Sequence, residues 1–127
     1  MSEAPGRIVG VGGVFRRAKE PDALRAFYVE QLGLPLQGET GMLTDEGGGI
    51  TVVGFFDADT EYFGPAGQEA MFNFRVDDLD ALLAKLRDAG ADVDEEKGVE
   101  EMERIGRFAW ITDPEGNRVE LWEPQPQ

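Results

Sequence analysis

A repeat constrains this chain more than any single residue does. Asp22-Ala23-Leu24 recurs as Asp80-Ala81-Leu82, 58 positions later, and at that offset the run Val11 to Ala18 falls on Glu69 to Val76. The hydrophobic period changes in the same order around both copies: strand, helix, strands. The first helix is predicted from Pro21, a favoured first-turn residue, with Leu24, Phe27, Tyr28 and Leu32 at helical spacing and Gly33 as its stop. The second opens after Asp77 or Asp78, both good capping residues, and carries Leu79, Leu82, Leu83 and Leu86 as an i, i+3, i+4, i+7 stripe ending at Gly90. A chain of 127 residues with 41% apolar content suits one α+β domain with a real core.

Alternation along the strands sorts side chains onto two faces. Phe72, Phe74 and Val76 share a face expected to lie under a helix, and Met71, Asn73 and Arg75 share the other. In the first unit Val11, Gly13, Phe15 and Arg17 have the second parity, while Val14 and Ala18 lie toward the helix. In the last strand Arg118, Glu120 and Trp122 alternate with Val119 and Leu121. On a two-layer domain the polar set can equally face water with no ligand at all.

Histidine and cysteine are both absent, which excludes disulfides, thiolate metal sites and a cysteine nucleophile. The net charge of −14 argues against nucleic acid and against anionic membrane surfaces. It fits a solvated, aggregation-resistant surface first and attraction of a cationic partner second. Much of the acid lies in Asp92 to Glu103, expected to be a solvated edge or loop. No run approaches the length of a membrane span, and the first residues carry no apolar signal region, so a cytoplasmic location is expected.

The closing segment Gly106 to Trp122 reads as a hairpin, two strand-like runs flanking Asp113-Pro114-Glu115-Gly116-Asn117, where Pro114 presets a turn and Gly116 or Asn117 can take positive φ. This hairpin is similar to the closing hairpin of the glyoxalase/bleomycin-resistance/dioxygenase families, the vicinal oxygen chelate superfamily. Gly12-Gly13-Val14-Phe15, Ala26-Phe27-Tyr28, Leu32-Gly33-Leu34 and Phe74-Arg75-Val76-Asp77-Asp78-Leu79-Asp80 resemble the family in the same order, over about Arg7 to Pro124. The resemblance implies an α+β fold of two βαβββ modules in one chain, a curled mixed-sheet cup with its helices outside. Residues 1–127 would be one domain, with modules at 7–59 and 68–124 and a connector at 60–67. Thr60-Glu61-Tyr62-Phe63-Gly64-Pro65 looks like the connector of small bacterial relatives with no obvious chemistry.

Most enzymes of that superfamily hold a divalent metal with histidines and a carboxylate. By resemblance those ligand positions map to Gly13, Met71 and Glu120, and the 58-residue offset independently pairs Gly13 with Met71. One carboxylate without imidazole or thiolate is a poor site for zinc, nickel, cobalt or iron, so neither metal nor other cofactor is expected. Acid–base work would fall to Asp, Glu, Lys or Tyr, with Glu120 the leading candidate. Trp110 and Trp122, with Phe15, Phe55 and Phe56, are candidates for a stacking wall, although burial alone accounts for aromatics at strand spacing. Tyr28 and Tyr62 are expected to be packing residues of the first helix and the connector. Arg17, Arg75 and Arg118 share the cup parity and would favour an anion if they converge; otherwise they pair with surface acids.

The expected ligand-binding set is therefore Phe15, Arg17, Met71, Asn73, Arg75, Trp110, Arg118, Glu120 and Trp122. The leading expectation is a metal-independent small-molecule-binding protein, with sequestration of a cationic antibiotic as its specific form. A lyase or isomerase acting on a small carboxylate, with Glu120 as base, is the second reading. A non-catalytic interaction module whose cup is filled by its own aromatics is the third. The expected partners are a small-molecule ligand and a second copy of the chain, paired through sheet edges or helices.

Overall fold

The computed structural model describes residues 5–38, 41–44, 49–64 and 67–125. Strand β1 (Ile8–Ala18) leads into helix α1 (Pro21–Ala26), which passes directly into a π-helical turn, Phe27–Gln31. Strands β2 (Met42–Thr44) and β3 (Ile50–Asp57) complete the first half. The second half runs β4 (Ala70–Val76), α2 (Leu79–Asp88), β5 (Asp92–Val93), β6 (Glu100–Met102), β7 (Gly106–Thr112) and β8 (Arg118–Pro124). All strands join one sheet in the order β2-β3-β1-β4-β8-β7-β5, with β6 also pairing β7. The β1–β3 and β4–β8 pairs are parallel and the others antiparallel, so the sheet is mixed as expected.

The register carries the repeat into space. On β1 and β4, Val14 pairs with Phe72, and these two residues are also counterparts at the 58-residue offset. A local two-fold axis therefore passes between them and relates the β2-β3-β1 half to the β4-β8-β7 half.

Helix α2 forms where its cap and stripe place it. The Asp78 carboxylate accepts the Ala81 N–H at 3.1 Å, and Leu79 and Leu83 are fully buried against Val76, Ala109 and Leu121. Burying each leucine contributes about 2 kcal/mol. Leu82 and Leu86 pack on the margin of that cluster.

Three facing assignments change. Helix α1 does not continue to Leu32: the Leu32 N–H bonds the Phe27 carbonyl, five residues back, and the wider turn leaves Phe27 and Leu32 exposed. Tyr28 stays half-buried, stacked on Phe55. Helix α2 reaches only the Val76 end of β4, so Phe74 is partly covered and Phe72 is 56% exposed. Finally, β1 bulges between Val11 and Gly13, which reverses the parity upstream. Gly12 and Gly13 both turn toward the concave face, Val11 pairs with Phe74 on the convex face, and Val14 is exposed there rather than covered. Glycine is needed at position 12 because Asn73, Trp122 and Arg75 crowd the space a Cβ would take.

Candidate functional site

Strand register assembles the concave face. Glu120 lies on β8 between its partners Asn73 on β4 and Trp110 on β7, and Asn73 in turn pairs with Gly13 on β1. One row across the sheet thus reads Val52, Gly13, Asn73, Glu120, Trp110.

Glu120 is only 2% exposed. Asn73 Nδ2 donates to its Oε1 at 2.5 Å, and Trp110 Nε1 donates to its Oε2 at 3.0 Å. The third donor is the Tyr62 hydroxyl, which comes from the connector and also bonds Oε2. Burial first, and the Glu120 carboxylate beside it second, push the Tyr62 phenol well above its ordinary value. No lysine or arginine among the described residues forms a salt bridge with Glu120. A buried carboxylate is thereby held by neutral donors alone.

The cup is filled by the chain itself. Phe63, fully buried, packs with Phe15 and Met71, and Phe56 stacks on Tyr62 at 5.5 Å. Phe108, Trp110 and Trp122 form a second cluster, with Phe108 and Trp122 stacked at 6.0 Å. Lys97 lies over this wall, its Nζ 4.5 Å from the Trp110 ring and 5.7 Å from that of Tyr62, while it pairs with Glu100 at 3.4 Å. Phe55 does not belong to the wall, because it stacks on Tyr28 on the convex side. Open depressions of about 870, 580 and 580 Å³ lie elsewhere: beside α1 and the strand ends, between α1 and β3, and near Met102 and Pro124.

The three arginines do not form a common floor. Arg17 is spent on the backbone of the connector region, donating to the Ala58, Thr60 and Gln68 carbonyls at 2.7–2.9 Å. Arg118 pairs with Asp94 at 3.0 Å and lies over the Trp110 ring at 5.7 Å. Arg75 packs against the bare backbone of Gly10 and leaves a buried Nε without a partner. The buried Asn73 Oδ1 and Arg118 Nε are likewise unpaired.

Of the residues read as a site, Phe15, Met71, Asn73, Trp110, Glu120 and Trp122 line the filled cup, and the arginines sit at its margins. Tyr62 and Lys97 are additions. The sequence signals were one of only two tyrosines placed in the connector, and the single base within the acidic run 92–103.

The residues present fit a divalent metal poorly. Gly13 offers no side chain, Met71 supplies a thioether packed among phenylalanines, and both Glu120 oxygens already accept hydrogen bonds. Among the described residues no group of three or more Asp and Glu is placed to hold a metal ion, and no helix is long and apolar enough to cross a membrane.

The fold is shared with solved structures of low sequence identity. Methylmalonyl-CoA epimerase from Streptomyces coelicolor, in complex with 2-nitronate-propionyl-CoA, is 18% identical with a TM-score of 0.71, covering 94% of this chain and 100% of its own. Methylmalonyl-CoA epimerase from Mycobacterium tuberculosis is 21% identical with a TM-score of 0.70, covering 98% and 94%. No curated protein sequence matches the chain. The model of the Glyoxalase/Bleomycin resistance protein/Dioxygenase superfamily matches residues 10–121, through both halves of the sheet and the Glu120 strand, and the chain belongs to that superfamily.

Proposed function

We propose that this protein binds a small organic ligand bearing a cationic or N–H donor group, without a metal, and that Glu120 is the group the ligand meets. Units 7–59 and 68–124 are its two modules, and the connector 60–67 delivers Tyr62 to the place the ligand's donor would take. One observation carries the reading: Glu120 is buried with three neutral donors and, among the described residues, no cation paired to it. Burying an unpaired carboxylate is costly, and an ammonium or guanidinium replacing the Tyr62 hydroxyl would recover a charge-assisted bond. The aromatic wall of Phe108, Trp110 and Trp122 would cover the ligand's apolar part. Sequestration of a cationic antibiotic in the cytoplasm is the specific form of this proposal.

The epimerase neighbours support the second reading, an isomerase or lyase with Glu120 as base on a small carboxylate. It is disfavoured because both Glu120 oxygens are engaged and two of the three arginines are bound elsewhere. The filled cup favours the third, a module that takes no small molecule.

Calorimetric titration with a cationic glycopeptide and with simple dicarboxylates separates the three. The proposal expects saturable binding of the cation, weakened roughly tenfold or more by Glu120→Gln. An enzyme would bind the dicarboxylate, turn it over, and lose turnover but not binding in that variant. Saturation by neither probe points to the filled-cup module.

A further inference from the structure

Arg16-Arg17-Ala18-Lys19 gathers three of the chain's 12 bases within four positions, at and just past the end of β1. Acids outnumber bases 26 to 12, and Arg7, Arg87, Lys97, Arg107 and Arg118 each hold a carboxylate. Arg16 and Lys19 are exposed and, among the described residues, their side chains make no salt bridge. Arg17 is fixed by carbonyl oxygens alone, so its charge too meets no carboxylate. Helix α1 supplies an apolar wall next to these bases. Its Ala23 and Leu24 are joined there by Phe27, whose ring the π turn leaves exposed instead of packed on the sheet. A π turn within a helix is rare and recurs at functional sites. Wall and bases together line the depression of about 870 Å³ beside α1, within the roughly 300–1,000 Å³ of small-molecule sites. Glu20 and Glu69 line it as well, so bases exceed acids there by three to two, the reverse of the chain as a whole. Asn73, Trp110 and Tyr62, the donors to Glu120, take no part in it.

We propose that this depression is a second ligand site, separate from the cup, and that it takes an organic anion with an apolar body: an aryl or acyl carboxylate. Charge complementarity selects the anion, because Arg16 and Lys19 are cations without partners in a chain of net charge −14. The Arg16 guanidinium offers a planar fork that matches a carboxylate, and Lys19 adds a point charge on a flexible stem. Arg17 contributes its charge from the side while the connector carbonyls hold it in place. Leu24 and Phe27 would cover the apolar body, with Phe27 supplying a ring face. A bare inorganic anion would leave that wall unused, and a neutral ligand would leave the bases unmatched. The two sites thus sort ligands by sign, and this one does not depend on what occupies the cup.

Calorimetry with three probes that share one ring system tests the site: naphthoate, naphthylmethanol and naphthylmethylammonium. Naphthoate is expected to saturate and to bind at least about tenfold more tightly than the neutral alcohol. Replacing both bases, Arg16→Gln with Lys19→Gln, should weaken naphthoate about tenfold, and Phe27→Ala about threefold. All three side chains are exposed, so these variants should keep the wild-type far-ultraviolet circular dichroism. Glu120→Gln should leave naphthoate binding unchanged, and naphthylmethylammonium, a probe of the cup, should be indifferent to the Arg16 and Lys19 changes. Raising salt from about 20 mM to about 500 mM should weaken naphthoate, because the charges that hold it are open to screening. The proposal is overturned by naphthoate that fails to saturate or binds no more tightly than the alcohol. Binding untouched by loss of Arg16 and Lys19, or lost in Glu120→Gln, overturns it equally.

Discussion

A carboxylate taken out of water must recover its hydration from donors, and Glu120 does so from an amide, an indole and a phenol. Removing the phenol leaves Oε2 with Trp110 alone, so Tyr62→Phe is expected to cost about 1–2 kcal/mol in urea unfolding at neutral pH. The pH dependence has a definite sign. The folded chain holds the Tyr62 proton more tightly than the unfolded chain, so this contribution is complete below the ordinary phenol value of 10.0 and is lost as pH rises above it. Tyr62→Phe should flatten the alkaline decline in stability. In the wild type, the Tyr62 phenolate absorbance should appear only as the protein unfolds, and a Tyr62 titrating near 10.0 in the folded state would contradict the buried bond. Strand parity pointed Glu120 and Asn73 to the cup face, and Trp110 was a candidate for its aromatic wall. Tyr62 was not legible as their partner, because its bond to Glu120 spans 58 residues and depends on how the connector folds back.

Among the elements, α2 was readable because its cap and leucine stripe agree, whereas α1 was readable in its Pro21 start and Gly33 stop but not in its π turn, which spacing cannot see. The two helices should respond differently to truncation. Leu83→Ala is expected to cost about 2–4 kcal/mol, since Leu83 is buried in the α2 cluster, and Phe27→Ala well under about 1 kcal/mol, since Phe27 is exposed. Equal losses in chemical denaturation would show that α1 packs as an ordinary amphipathic helix after all. The bulge in β1 escaped a strict period of two for a similar reason: one extra residue moves Val11 and Gly10 to the other face, and a second shift between Gly10 and Ile8 reverses the parity again. Gly12→Ala tests it directly. A methyl there would overlap Asn73 Oδ1 and approach the Trp122 ring to 2.9 Å, so a loss of about 1–3 kcal/mol is expected, with a change in Trp fluorescence. A neutral result would place Gly12 away from the cup.

At the scale of the whole molecule, the net charge of −14 and the acidic run 92–103 were legible from the sequence, whereas only the register shows which rows of the sheet are free of carboxylates. The central claim, a cup that recognises an organic cation through Glu120 without a metal, is tested most directly by thermal unfolding. The panel pairs a cationic glycopeptide with zinc, nickel, cobalt, manganese and magnesium ions, each with and without EDTA. A ligand at about a hundredfold excess over its Kd adds about 2.7 kcal/mol of stability. The account predicts a rise in Tm with the glycopeptide that is lost in Glu120→Gln, and none with the metals. A rise with a divalent metal, reversed by EDTA and absent in Glu120→Gln, would contradict it.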